Sequence, residues 1–273
     1  MSQLQNASGQ NGMRPGHTPP VEGATSKISY AGYSHVGMKR LQNQDQFLCI
    51  PEFSAFVVAD GMGGHKGGET ASLLAITMIC DTIRSIRTGQ DPTMPAHTPA
   101  GQILLTALMA ANEAVFQHAI ANPALRGMGT TCTALMHEGD QIFIAQVGDS
   151  RCYLVHPGSI WQLTRDHSLV QEKLKAGLIT RSEVKTDRMK NVITRSVGFE
   201  NQLAVDLYTF SCHSGDVFML CSDGLSGPCP DEEILDIVAD QVFEKKDLLK
   251  ATQNLCNAAN SHGGDDNVTA LIV

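Results

Sequence analysis

The sequence predicts an α+β fold built on antiparallel sheets. Three observations carry this. Short apolar runs rich in β-branched residues come in blocks, at 28–59, 130–163, 203–221 and 267–273. Helical periodicities come in pairs between those blocks, at 68–121 and 231–261, instead of alternating with single strands as in a Rossmann-type fold. Turn residues join neighbouring runs directly: His137-Glu138-Gly139-Asp140 and Pro157-Gly158 read as hairpin links.

In chain order, residues 1–26 are rich in Gln, Asn, Gly, Pro and Ser, and read as a disordered tail before a domain at 27–273. A strand starts at Ile28, followed by 47–50 and 55–59. Residues 68–87 place Leu73, Leu74, Ile76, Ile79, Ile83 and Ile86 on one helical face. Pro92, Pro95 and Pro99 mark a loop, and a second helix fits 100–121 with Ile103, Leu104, Ala107, Leu108, Ala111 and Val115 as its apolar face. Strands at 130–136, 141–147, 152–155 and 159–163 form a meander. Residues 167–200 are polar with weak periodicity and read as short helices in a mobile surface segment. Strands at 203–210 and 216–221, helices at 231–240 and 246–261, and a last strand at 267–273 complete the chain. No fixed-period repeat occurs.

With 273 residues, 42% of them hydrophobic, the chain has enough apolar surface for one large core. A net charge of −8 argues against nucleic-acid binding. No apolar stretch reads as a membrane span, and no basic-then-apolar leader opens the sequence, so the expected location is the cytoplasm. The eight cysteines include no CxxC pair and lie mostly in apolar runs, so buried reduced thiols are expected before zinc ligands or disulfides. Trp161, the phenylalanines, Met38, Met62 and Met128 read as packing residues.

Five aspartates stand at strand ends or just beyond them, beside small residues: Asp60 in VADGMGGH, Asp149 in QVGDSR, Asp223 in MLCSDGLS, and Asp265 and Asp266 in HGGDDNVT. A sheet holds such a carboxylate stiffly, and an adjacent glycine lets an ion or ligand approach the backbone. Several acids converging on one pocket repel one another unless a cation neutralises them. The chemistry that fits is a site for hard divalent cations with oxygen ligands. Two decoys fail. GDSR is followed by the strand-like CYLV where an esterase elbow needs a helix, and GMGGHKGG matches neither phosphate-binding glycine pattern.

The ordered set GMKRLQNQD (37–45), VADGMGGH (58–65), GMGTT (127–131), VGDSR (147–151), LTRDHS (163–168), CSDGL (221–225) and GGDDNVT (263–269) closely resembles the metal-dependent PPM family of type 2C protein phosphatases in its bacterial form. The resemblance spans about residues 28–273. It implies a four-layer α/β/β/α sandwich, two central antiparallel sheets flanked by helix pairs. It implies Mn²⁺ or Mg²⁺ as cofactor, two catalytic ions and a weaker third. Asp60 would bridge the catalytic pair with the Gly61 carbonyl as a further ligand. Asp223 and Asp266 would complete the first ion, Asp45 would hold metal-bound water, and Asp149 with Asp223 would form the third site. Arg40 would grip the substrate phosphate, and 169–198 would be a flap beside the site.

The implied reaction is hydrolysis of phosphoserine and phosphothreonine in proteins by a metal-activated water. The implied partners are substrates of a bacterial Ser/Thr kinase, acted on by a monomer. Met62 stands where eukaryotic members have a proton-donating His, and His65 reads as a loop residue. His167 reads as a local hydrogen-bonding group. The competing readings are an inactive phosphatase-like binding module and a hydrolase of small phosphoesters.

Overall fold

The computed structural model describes residues 19–25 and 27–273. Two antiparallel sheets lie face to face between two helical layers. The first strands are β1 (Val21–Ala24), β2 (Ser29–His35), β3 (Asp45–Ile50) and β4 (Ala55–Met62), leading into helices α1 (Gly64–Arg87) and α2 (Ala100–Ala121). The short β5 (Gly129–Thr130) precedes the meander β6 (Cys132–Glu138), β7 (Gln141–Val147), β8 (Arg151–His156) and β9 (Ser159–Gln162). Two short helices follow, α3 (Leu169–Lys175) and α4 (Arg181–Val184), then β10 (Asp206–Ser211) and β11 (Val217–Cys221). The chain ends with α5 (Asp223–Ser226), α6 (Asp231–Val238), a π-helical turn at Ala239–Glu244, α7 (Leu248–Ser261) and β12 (Val268–Ile272).

One sheet has the order β1-β2-β12-β11-β8-β9, the other β10-β7-β6-β4-β3, with β5 added beside β4. Each strand face has its own partner. Val57, Ala59, Ala134 and Ala145 of the second sheet pack on Ile79, Ile83, Leu104 and Leu108 of α1 and α2. The opposite face of that sheet, through Phe56, Val58, Leu135 and Ile144, meets Leu220 and Leu271 of the first sheet. The outer face of the first sheet, with Met219, Cys221 and Ala270, is covered by Ile234, Val238, Leu255 and Ala259 of α6 and α7. Strands buried on both faces must read as unbroken apolar runs, which explains the FVVA and VFMLC sequences. The α+β reading and the four-layer sandwich both hold.

Several expectations need correction. The tail expected over 1–26 includes Val21–Ala24, which pair antiparallel with Ser29–Gly32 as an edge strand; residues 1–18 and 26 lie outside the described residues. On α1, Leu73 is exposed, and Ala71 and Ala75 take its place in the core. The small alanines let the helix approach the sheet closely. Trp161, Phe199 and Met38 are exposed, Trp161 because β9 is an edge strand with one face in solvent. Ala100–Ala121 is long and apolar enough, by length and composition, to cross a membrane, contrary to the expectation from sequence. Its Ile103, Leu104, Ala107, Leu108, Ala111 and Val115 are all buried against the second sheet and α1.

Candidate metal centre

The acids gather where the ends of the two sheets meet. Asp45 opens β3 and stands directly opposite Asp60 in β4, so the two carboxylates share one face of the strand pair. Like charges directly opposite across a ladder are destabilising. Among the described residues, no Lys, Arg or His forms an ion pair with either. Asp223 is the first residue of α5, just past the end of β11. Asp266 precedes β12, and Asp149 lies in the link between β7 and β8. The negative charges of Asp45, Asp223, Asp149 and Asp266 all act on Asp60, which makes it the centre of the cluster.

Burial sets the electrostatics. Desolvation, then the charges of neighbouring acids, holds the Asp60 carboxyl well above the usual carboxylate range. Burial raises Asp45 to about 7, against two hydroxyl hydrogen bonds that pull it down. Burial and the Asp223 charge raise Asp149 to about 8, and Asp223 is raised by burial and by Asp266. Three buried carboxylate oxygens in this group, Asp45 Oδ1, Asp149 Oδ1 and Asp223 Oδ1, have no hydrogen-bond partner among the described residues. A buried polar atom without a partner costs about 1–3 kcal/mol, and this cluster of acids holds three of them. A divalent cation supplies what they lack, and an oxygen-only donor set matches Mn²⁺ or Mg²⁺.

The sequence blocks around the acids are their scaffold. Ser222 Oγ and Thr269 Oγ1 each donate to Asp45 Oδ2 at 2.7 Å, which fixes that carboxylate and leaves Oδ1 free. Thr131 accepts the Asp60 N–H through Oγ1 at 2.9 Å and donates its own N–H to the Asp60 carbonyl at 2.8 Å. Thr131 Oγ1 also meets Ser150 Oγ, beside Asp149, at 2.7 Å. Asn267 is a clamp: its Nδ2 donates to the Val36 and Gln42 carbonyls, and its Oδ1 accepts the Gln44 N–H. The loop before Asp45 is thereby tied to the loop carrying Asp266.

Sequence reading assigns no site role to Ser222, Thr130, Thr131, Asn267 or Thr269. Ser222, Asn267 and Thr269 lie within three residues of an acid, whereas Thr130 and Thr131 reach Asp60 only through the fold. The glycines have steric reasons. A Cβ on Gly61 would lie 2.0 Å from the Gly68 carbonyl, and one on Gly37, at φ +82°, would lie 2.1 Å from the Asp266 carbonyl.

Arg40 Nη2 donates to Asp266 Oδ2 at 2.8 Å, and Nε donates to the Asp265 carbonyl at 3.3 Å. About half of its side chain is open to solvent. The structure therefore places Arg40 at the rim of the acid cluster. Asp265 does not join the group: its carboxylate is exposed and pairs with Lys39. His167 makes the local contact expected of it, its Nδ1 accepting the Gly148 N–H at 3.1 Å. Met62 is half-buried, and the His65 side chain lies outside the described residues.

Residues 168–193 run beside the centre. An isolated bridge joins Ser168 to Ile193 and another joins Thr130 to Val197, anchoring the base of the segment. Between this segment and the α5–α6 link opens a cleft of about 1000 Å³ with Asp149 and Asp223 in its wall. Arg165, Arg181, Lys185 and Lys190 line its other parts. Asp166, Asp206, Asp231 and Glu232 line it as well, so the cleft carries charges of both signs.

The chain is similar to known proteins in sequence and fold. The family model for protein phosphatase 2C matches residues 31–271. A serine/threonine phosphatase stp of Listeria welshimeri is 36% identical over 80% of this chain and 82% of its own length. The solved Mycobacterium tuberculosis serine/threonine phosphatase PstP/Ppp superposes with a TM-score of 0.78 at 32% identity, covering 89% of this chain and 96% of that one. A catalytic domain of PstP solved with two manganese ions gives a TM-score of 0.76 at 32% identity over the same shares. By its sequence blocks, its layers and the acids they bring together, the chain belongs to the protein phosphatase 2C family.

Proposed function

We infer that this chain is a metal-dependent protein-serine/threonine phosphatase, hydrolysing phosphoserine and phosphothreonine esters in proteins. The observation that carries the reading is the set of unpartnered, buried carboxylate oxygens around Asp60. A binding module has no use for such mutually repelling acids. A bound pair of divalent ions supplies an activated water and neutralises charge on the phosphoryl oxygens.

The chain's own groups divide the remaining work. Asp60, with the Gly61 carbonyl, would hold both ions, and Asp223 and Asp266 would complete the donor set of one of them. Asp45, its Oδ2 fixed by two hydroxyls and its Oδ1 left without a partner, suits a water-holding role. Asp149 with Asp223 suits a third, weaker ion. The Arg40 fork, held at the rim, can take two phosphate oxygens at once, which a lysine cannot match. Mn²⁺ and Mg²⁺ both fit the donor set. Met62 carries no proton to give, so the leaving alkoxide takes its proton from water or another side chain. A cytoplasmic role against a bacterial Ser/Thr kinase, as a monomer, is the cellular setting we propose.

The test is turnover of a phosphothreonine peptide by chelator-stripped protein before and after Mn²⁺ is restored. Activity should vanish and return, and Asp60→Asn should stay inactive throughout. Turnover in excess chelator would refute the mechanism. Turnover of small aryl phosphates with none of phosphopeptides would instead make the chain a small-phosphoester hydrolase.

A further inference from the structure

The structure assigns a second metal site, of different chemistry, to Cys229, Glu233 and His262, fitted to a borderline divalent cation such as Zn²⁺. A thiol sulfur, a carboxylate oxygen and an imidazole nitrogen converge here, all three ligand atoms within 4.8 Å of one another. Glu233 Oε2 and His262 Nε2 are 2.7 Å apart. Cys229 is buried beneath them. The donors come from two parts of the chain: Cys229 just before α6 and Glu233 in its first turn, His262 from the cap of α7.

Sulfur, nitrogen and oxygen donors together select Zn²⁺ over Mg²⁺ or Mn²⁺. Zinc–ligand bonds of about 2.0–2.3 Å require ligand atoms about 3.3–3.8 Å apart in a tetrahedron. Closing the triad on such bonds takes about an ångström of movement, and the carboxylate and imidazole are the parts open to solvent. A water fills the fourth position. The acid centre contains no thiol, so the two sites prefer different ions. Cys229 is thus an exception to the expectation that the thiols are merely packing groups.

The position gives the site leverage. Cys229 closes the turn that begins at Asp223, and its N–H donates to the Leu225 carbonyl at 3.2 Å. His262 opens the loop that carries Asp266, where Gly264 N–H reaches back to the Ala259 carbonyl. A cation here fastens together the two loops that supply Asp223 and Asp266 to the acid centre.

The experiment uses full-length protein already saturated with Mn²⁺, then titrated with Co²⁺ as a spectroscopic stand-in for Zn²⁺. A near-ultraviolet thiolate-to-cobalt band should grow to one Co²⁺ per chain and be abolished by Zn²⁺. Cys229→Ser should remove it. His262→Ala, at an exposed position where folding is not at risk, should weaken Co²⁺ binding by at least about tenfold. No band in the wild-type protein, a band that survives Cys229→Ser, or an unchanged midpoint in His262→Ala would overturn the assignment.

Discussion

Two groups of aspartates in this molecule lie within one fold and live under opposite rules. Along the 165–206 face every aspartate has a cation. Asp166 receives three guanidinium hydrogen bonds from Arg151 at 2.7–3.2 Å. Asp187 pairs with Lys173 at 2.8 Å, and Asp206 pairs with Arg195 at 2.7 Å. At the sheet ends, Asp45, Asp60, Asp149 and Asp223 surround one another; Arg40 hydrogen-bonds Asp266 at the rim, and Asp223 feels the Arg40 and Arg151 charges without an ion pair to either. The difference teaches what each group is for. Acids paired by the chain itself hold the scaffold. Acids left unpaired are finished by something the chain does not encode.

The largest effect that sharpens this contrast is in rate. Asp60→Asn should lose several orders of magnitude in turnover, because it removes the carboxylate proposed to hold the ions that activate the water. In chelator its melting temperature should equal or exceed wild type, since a repelling buried charge has gone. Lower stability with retained turnover in Asp60→Asn would place Asp60 in the scaffold. On the other side, Arg151→Ala should cost about 3–5 kcal/mol of stability by stranding Asp166, measured by denaturant unfolding. Turnover per folded molecule should change far less than in Asp60→Asn.

Arg40 sits between the two classes. Arg40→Ala should weaken phosphate-ester binding by about 1.5–3 kcal/mol, read as a raised KM, and Arg40→Lys should recover only part. Unchanged kinetics would mean that the phosphate is held elsewhere, for instance by Arg165, Arg181, Lys185 or Lys190 of the cleft.

A smaller effect is in pH. Asp45 and Asp149 are carboxyls raised from 3.8 to about 7 and about 8 in the ion-free fold. Their favourable contribution is fully present below the unfolded value, and it is lost as pH rises through the folded values. The chelated protein should therefore lose melting temperature between about pH 4 and pH 8. Mn²⁺, which needs ionised ligands, should flatten or reverse the trend. A flat profile in chelator would show that the acids are relieved without an ion.

The smallest effect concerns β1. A chain beginning at Lys27 loses a four-residue edge strand, three of whose residues are exposed. It should drop by about 1 kcal/mol or less and keep its turnover on small phosphoesters. A larger fall would give the N-terminal strand a structural weight its burial does not suggest.

How much of this is legible in the sequence follows from the same physics. Doubly buried strands such as VFMLC and helix faces such as Ile103–Val115 announce themselves, because burial enforces composition over a whole period. The acids are visible because each sits beside a strand and small residues. Thr131, Ser222, Asn267 and Thr269 are not, because a hydroxyl or amide that positions a catalytic group looks the same in sequence as one that caps a turn. Leu73 and Trp161 mislead for the opposite reason: an apolar side chain on a periodic face or in an edge strand can still face water. β1 is hidden by its composition, since VEGA carries almost no apolar payload and pairs through its backbone alone.

The most direct measurement of the central claim is anomalous diffraction at the manganese edge from crystals grown with Mn²⁺. The account predicts two strong peaks flanking Asp60, one of them also within bonding distance of Asp223 and Asp266, and a weaker third near Asp149. Ordered crystals grown at saturating Mn²⁺ that show no peak among these carboxylates would contradict it.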